Sequence, residues 1–251
     1  MPEGLVRAAQ HALLPLLDFL LPTDCFACGK RLGATQRLGA CLTCWAGLQP
    51  LLPPLCAGCG LPGPRATDLL GPSRGRCASC LLYPPAVDAV RALVVYDRLA
   101  RSFLLRAKLG RRVELFAPLA EMMAAAIRSR DLAHGASVVI AAPSHPWSSL
   151  HRGFGPAHEL ARRVARALGL RLGRLRLLRH PAGRIAAKRL GARRRRELAR
   201  QIFCLGRLDG ESVLLIDDVM TTGSTVEACA RALKRGGARE VRAVIWARTL
   251  P

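Results

Sequence analysis

The amino-acid sequence predicts an α/β fold, a parallel sheet with flanking helices, preceded by a small N-terminal domain organised by cysteines. Two patterns predict it. From about residue 85 onward, short apolar runs alternate with stretches of helical periodicity, as in strands buried on both faces and joined through helices. Before that point, eight of the 10 cysteines fall into four Cys-x-x-Cys pairs. With 251 residues and 51% hydrophobic content, there is ample apolar material for packed cores, which excludes a disordered chain. The expected division is residues 1–84, an N-terminal helix and a double four-cysteine ribbon, and residues 85–251, the sheet domain, with Pro84 and Pro85 at the junction.

The opening segment, MPEGLVRAAQHALLPLLDFLLP, reads as an amphipathic helix whose Leu13, Leu16, Leu17 and Leu20 face the protein. Pro15 and Asp18 interrupt its apolar run, which is too short to span a bilayer and is followed by no small-residue cleavage site. A cytoplasmic protein with no membrane span is the expectation. In that compartment cysteines serve purposes other than disulfides. The pairs are Cys25 and Cys28, Cys41 and Cys44, Cys56 and Cys59, Cys77 and Cys80, separated by 12, 11 and 17 residues. Each pair offers two thiolates on one tight turn, and two pairs complete a tetrahedral shell, so the count implies two structural metal ions. Soft four-thiolate shells suit zinc, with iron or a redox role as the alternative. Sequential pairing is preferred over interleaving, although spacing alone leaves both open. Cys204 and Cys229 are isolated and read as core residues. Gly58, Gly60 and Gly63 match G-x-G-x-x-G, but the match straddles Cys59 and follows no strand, so it is not a dinucleotide fingerprint.

In the second part, AVRALVVY reads as a strand, LARSFLLRAKLG as a helix, and LFAPLAEMMAAAIRS as a helix with Pro118 near its start. SVVIAAP is a strand, GPAHELARRVARALG a helix, SVLLIDDV a strand, STVEACARALKRGG a helix and VRAVIWART a strand. Ligands of such sheets lie at the carboxyl ends of the strands, which selects the loops after Tyr96, Ala142 and Ile216.

The last of these loops carries the chemistry. In VLLIDDVMTTGST, Val213–Ile216 form a strand with Asp217 and Asp218 at its edge, pointing to opposite sides. Thr221, Thr222, Gly223, Ser224 and Thr225 then turn into a helix, whose N-H groups and hydroxyls make a cradle for a phosphate. Two carboxylates beside that cradle would repel a bare anion. The ligand must therefore also offer hydroxyls or a divalent cation, as a ribose phosphate does.

This loop resembles the phosphoribosyl pyrophosphate (PRPP) loop of type I phosphoribosyltransferases, and from about Leu16 to Leu250 the chain is similar to the ComF family. Supporting segments are YDRLARSFLLRAKLGRR around Lys108, AAPSHPWSSLHRGFG around Arg152, AAKRLGARRRRELARQIF, and LKRGGA. The resemblance implies a type I phosphoribosyltransferase-like, Rossmann-like sheet behind a zinc ribbon, binding PRPP or a related ribose phosphate with Mg²⁺. It implies that Asp217 and Asp218 hold ribose hydroxyls and favour an oxocarbenium-like state. Thr221–Thr225 would hold the 5-phosphate, Ser144 and His145 would help bind pyrophosphate, and Lys108 would offer it a compact charge. Arg152 belongs to the same expected ligand-binding set. The sequence departs from the family at Gly155 and Pro156, where Asn-Gln is usual, and at Arg184, Ile185, Ala186 and Ala187, where Thr-x-x-Gln is expected. Thr221 replaces the acid of purine-salvage relatives, which disfavours a purine acceptor.

Charge suggests a second class of function. The formal net charge is +22, and residues 151–200 hold 16 basic against 2 acidic side chains. The ComF resemblance implies a link to natural competence and to other DNA-uptake proteins. The alternative to an enzyme is thus a non-catalytic, single-stranded-DNA-binding competence protein whose PRPP site is a sensor. Backbone contacts would dominate such binding, because Phe154 is the one aromatic side chain in the basic segment. Part of the charge, including Arg162, Arg163 and Arg166, reads as the solvated face of a helix.

Overall fold

A computed structural model of the protein describes residues 24–32, 39–63, 75–109, 113–144, 154–173, 176–179 and 202–251. The opening helix, His145, Arg152 and the run Arg193–Arg196 lie outside the described residues.

A five-stranded, wholly parallel sheet is the frame. Its strands are β1 (Ala89–Val95), β2 (Val138–Ala141), β3 (Arg171–Leu172), β6 (Ser212–Met220) and β7 (Glu240–Arg248), in the spatial order β1-β7-β6-β2-β3. A separate antiparallel pair, β4 (Arg176–Arg179) and β5 (Ile202–Leu205), stands apart from it. The central strands are apolar because both faces are covered: Leu214 and Ile216 enter one core cluster, Val213 and Leu215 the other.

Helices α3 (Arg98–Leu109), α4 (Phe116–Ser129) and α5 (Pro156–Leu168) pack into the first cluster, and α6 (Ser224–Arg235) packs into the second. Local sequence explains each. Asp97 caps α3, its Oδ1 accepting the Ala100 N-H at 2.8 Å, and Ala100, Phe103, Leu104 and Ala107 form the buried stripe. In α5, Gly155 is the N-cap and Pro156 occupies the first turn, where its missing N-H is harmless, and Gly169 in a left-handed conformation ends the helix. The departure Gly155-Pro156 is therefore a well-formed helix start.

The cysteine-rich part is not a separate globule. Gln49–Leu51 line β1, with Leu51 N-H donating to Leu93 O at 2.8 Å and Val95 N-H to Gln49 O at 2.9 Å. Phe26 and Trp45 pack on Phe103 with ring centroids 4.7 and 4.8 Å away, and Phe103 lies 6.1 Å from Trp246 of β7. Cys25, Phe26, Cys44 and Leu48 belong to the same apolar cluster as the sheet. Two independent cores are the natural expectation from the sequence; packing fuses them.

Two cysteine centres and a carboxylate-hydroxyl site at the sheet switch point

The eight paired cysteines form two clusters, Cys25, Cys28, Cys41 and Cys44, and Cys56, Cys59, Cys77 and Cys80, with all sulfurs of each within 4.8 Å of one another. The pairing is sequential. A tetrahedron with Zn-S bonds near 2.3 Å has edges of about 3.8 Å. The Cys28-Cys41 and Cys59-Cys77 sulfur separations are 3.9 and 3.8 Å, so the shells fit zinc closely.

The clusters repeat one local design. Gly29 N-H donates to Cys25 O and Gly60 N-H to Cys56 O, closing the knuckle turns. Cys41 N-H donates to Cys25 Sγ and Cys77 N-H to Cys56 Sγ, both at 3.3 Å. Cys41 and Cys77 then begin two five-residue helices, α1 (Leu42–Ala46) and α2 (Ala78–Leu82), which bring round Cys44 and Cys80. Burial alone would raise the thiols of Cys25 and Cys56, but these backbone donors outweigh it and bring both down to about 6, ready as thiolates for a metal.

Their surroundings differ. Arg91 Nη1 donates to Cys56 O at 3.1 Å and Ala57 O at 3.3 Å, and Arg248 Nη1 donates to Cys59 O at 2.5 Å. Arg248 is 4% exposed, and its Nε is buried without a hydrogen-bond partner. Burial pulls both guanidinium groups below their ordinary range, while the thiolates of Cys56 and Cys59 push them back. These two arginines escaped the sequence reading, although a cation inside the apolar runs AVRALVV and VIWAR is itself a signal. Gly60 is held here by sterics: a Cβ would lie 2.3 Å from Val90 O.

The second site lies at the carboxyl edge of the sheet. From β2 the chain continues to the β3 edge, whereas from β6 it continues through α6 to β7 on the other side, so the order switches between β2 and β6. Strand β6 runs beyond Ile216 through both acids to Met220, because its register with β7 persists to Met220 opposite Arg248. Asp217 is buried, and its Oδ1 accepts the Asp218 N-H at 2.8 Å. Asp218 follows the parity of Leu214 and Ile216 toward the α3 face, and there its Oδ2 pairs with the Lys108 ammonium. That oxygen is buried with no hydrogen-bond donor aligned on it, so the contact is an ion pair. Burial first, and then the charge of Asp218, push the Asp217 carboxyl well above its ordinary range.

Past Met220 the chain turns at Gly223, with φ of 79°, into α6 at Ser224. A Cβ on Gly223 would meet Met220 Cε at 2.6 Å, so the turn lies tight on the strand end. Thr222 Oγ1 stands 3.1 Å from Ser224 Oγ and accepts the Ser224 N-H at 3.4 Å, while Thr221 and Thr222 are exposed. The N-H groups of the first turn of α6 open toward this loop. Ser144, after β2, has its Oγ 3.2 Å from where a Gly155 Cβ would stand. Asp217, Asp218, Lys108 and Thr221–Thr225 thus share one edge of the sheet, with Ser144 on the neighbouring strand end.

Arg162 and Arg166 are exposed on α5, as a solvated helix face requires, and Arg162 and Arg163 both pair with Glu159, at 2.7 and 2.6 Å. Phe154 packs edge-on against Phe116 at 5.8 Å, which leaves its ring engaged within the protein.

With this geometry in place, comparison with known proteins is decisive. Residues 16–81 match the double zinc ribbon domain and residues 124–249 the phosphoribosyl transferase domain. DNA utilization protein YhgH of Salmonella typhimurium is 30% identical over 92% of this chain and 99% of its own length. The chain belongs to the ComF family. Competence protein F of Haemophilus influenzae is 24% identical over 88% of this chain and 94% of its own. A purine phosphoribosyltransferase structure from Pyrococcus horikoshii covers 57% of this ComF chain at 18% identity and a TM-score of 0.32, with 83% of its own length covered. Among the described residues, no helix is long and apolar enough to cross a membrane.

Proposed function

We propose that this ComF protein binds PRPP or a related ribose phosphate at the Asp217–Thr225 edge of its sheet and uses that site in the handling of incoming DNA. The observation that carries the reading is the juxtaposition at the switch point: two adjacent carboxylates end a buried strand, and a hydroxyl-rich turn opens a helix immediately after them. The turn suits the 5-phosphate, and the carboxylates suit the ribose hydroxyls. Ser144, and with it His145 and Arg152, would approach the pyrophosphate. The hard oxygens of Asp217 and Asp218 fit Mg²⁺, which when bound would neutralise pyrophosphate charge. In a transfer reaction, Asp218 would favour positive charge developing at the ribose as its bond to pyrophosphate loosens, an electrostatic contribution made by groups already in place. Thr221, in place of an acid, argues against a purine acceptor.

The names of the relatives support the DNA link. The basic segment at residues 151–200 supports a sensor reading, in which ribose-phosphate occupancy regulates contact with single-stranded DNA. Pyrophosphate release from PRPP, measured with and without single-stranded DNA, separates the two. Release that DNA accelerates is the transferase outcome; tight PRPP binding without release is the sensor outcome. Failure to bind PRPP under either condition would remove both.

A further inference from the structure

We propose that Lys108 serves the ribose subsite by positioning Asp218, and does not contact the pyrophosphate. This rests on the ribose-phosphate reading above and assigns a different task to the lysine that the family resemblance places on pyrophosphate. The ammonium sits on Asp218 Oδ2 with side-chain exposures of 21% for Lys108 and 14% for Asp218, so the pair is largely out of water. Helix α3 fixes its reach, since Ala107 is buried beside it and Phe103 and Leu104 lock the preceding turn into the core. Withdrawing the ammonium toward another anion would leave Oδ2 buried, without a hydrogen-bond donor, next to a second carboxyl group. With Oδ2 taken by Lys108, the other carboxylate oxygen is left to accept a ligand hydroxyl.

The chemistry is a division of labour between two adjacent acids. Asp217 is the buried member, its Oδ1 occupied by the Asp218 N-H, and Asp218 is the member that carries a built-in counter-charge in the Lys108 ammonium. One ammonium resolves the repulsion that two neighbouring carboxylates would otherwise direct at a phosphate.

The test compares two probes, ribose 5-phosphate, which lacks pyrophosphate, and PRPP, by calorimetry on wild type, Lys108→Met, Lys108→Arg, Asp218→Asn and the Lys108→Met/Asp218→Asn double variant. Lys108→Met should weaken both ligands by a similar factor, roughly tenfold. Lys108→Arg should recover part of the loss, and the double variant should bind no worse than Asp218→Asn alone. A lysine with a merely structural role would weaken binding in the Asp218→Asn background as well. Loss of PRPP affinity with ribose 5-phosphate unaffected would return Lys108 to the pyrophosphate and overturn the proposal, as would additive effects in the double variant. If Lys108→Met does not fold, Lys108→Gln takes its place in both arms. Wild-type protein that binds neither probe would instead sink the ribose-phosphate reading itself, and this inference with it.

Discussion

At the scale of single residues, Asp217 bears a conflict between stability and function. Its carboxyl is raised in the folded protein, chiefly by burial, so the folded chain keeps a proton over a pH range in which the unfolded chain has released it. Such a group weakens the folded state progressively as pH climbs above the ordinary carboxylate value of 3.8 toward the raised folded value. Asp217→Asn removes the ionisation and keeps the acceptor for the Asp218 N-H. Thermal melts of this variant should therefore exceed wild type at about pH 7, with the gap closing near pH 4. A gap that widens toward acid pH would mean that Asp217 is stabilised as a carboxylate. None of this was legible in the sequence beyond the presence of the two acids. Lys108 and Asp218 are far apart in the chain, and their meeting depends on how α3 lies across the sheet.

At the scale of elements, the two cysteine centres share one backbone design but differ in electrostatic environment. Zinc with four thiolates carries two net negative charges. The second centre has Arg91 and Arg248 donating into its knuckle, whereas Cys28 of the first is exposed and no arginine among the described residues donates to its cysteine carbonyls. Guanidinium groups beside such a shell offset its net negative charge, and their hydrogen bonds to the knuckle carbonyls hold the ligands in place. Chelator or alkylating reagent should thus release zinc in two steps, the Cys25–Cys44 ion first, with early modification at Cys28. Arg248→Met should hasten only the second step. Single-step release, or modification of Cys56–Cys80 first, would contradict this ranking.

Elements are also where the sequence was most readable. The four strands and four helices read from apolar runs and helical periodicity all exist, because buried parallel strands and amphipathic helices impose those patterns directly. What escaped has physical reasons. Strand β3 is two residues at the sheet edge, too short for any periodicity, and among the described residues β4 and β5 pair only with each other. Strand β6 runs on to Met220, past the change of polarity after Ile216, because its hydrogen bonding to β7 continues there.

At the scale of the whole molecule, the cysteine-rich part and the sheet share apolar contacts, with Phe26 and Trp45 packed edge-on against Phe103, which in turn lies against Trp246. Small cysteine ribbons owe their fold to metal. Stripping zinc should therefore loosen Glu240–Arg248 along with residues 25–80, seen as faster hydrogen exchange in β7 peptides by mass spectrometry. Exchange that rises only within residues 25–80 would show that the sheet stands alone.

The central claim is that the Asp217–Thr225 edge is a ribose-phosphate site within a protein that handles DNA. Its most direct test is calorimetric titration of PRPP with Mg²⁺ into wild type and Asp218→Asn, run beside a single-stranded DNA titration of the same proteins. Losing charge from the hydroxyl acceptor should weaken PRPP by about 1.5–3 kcal/mol, roughly tenfold to a hundredfold or more. DNA affinity should hold or rise slightly, since removing an acid from a basic protein does not reduce its attraction for phosphate. Unchanged PRPP affinity together with weakened DNA binding would contradict the account.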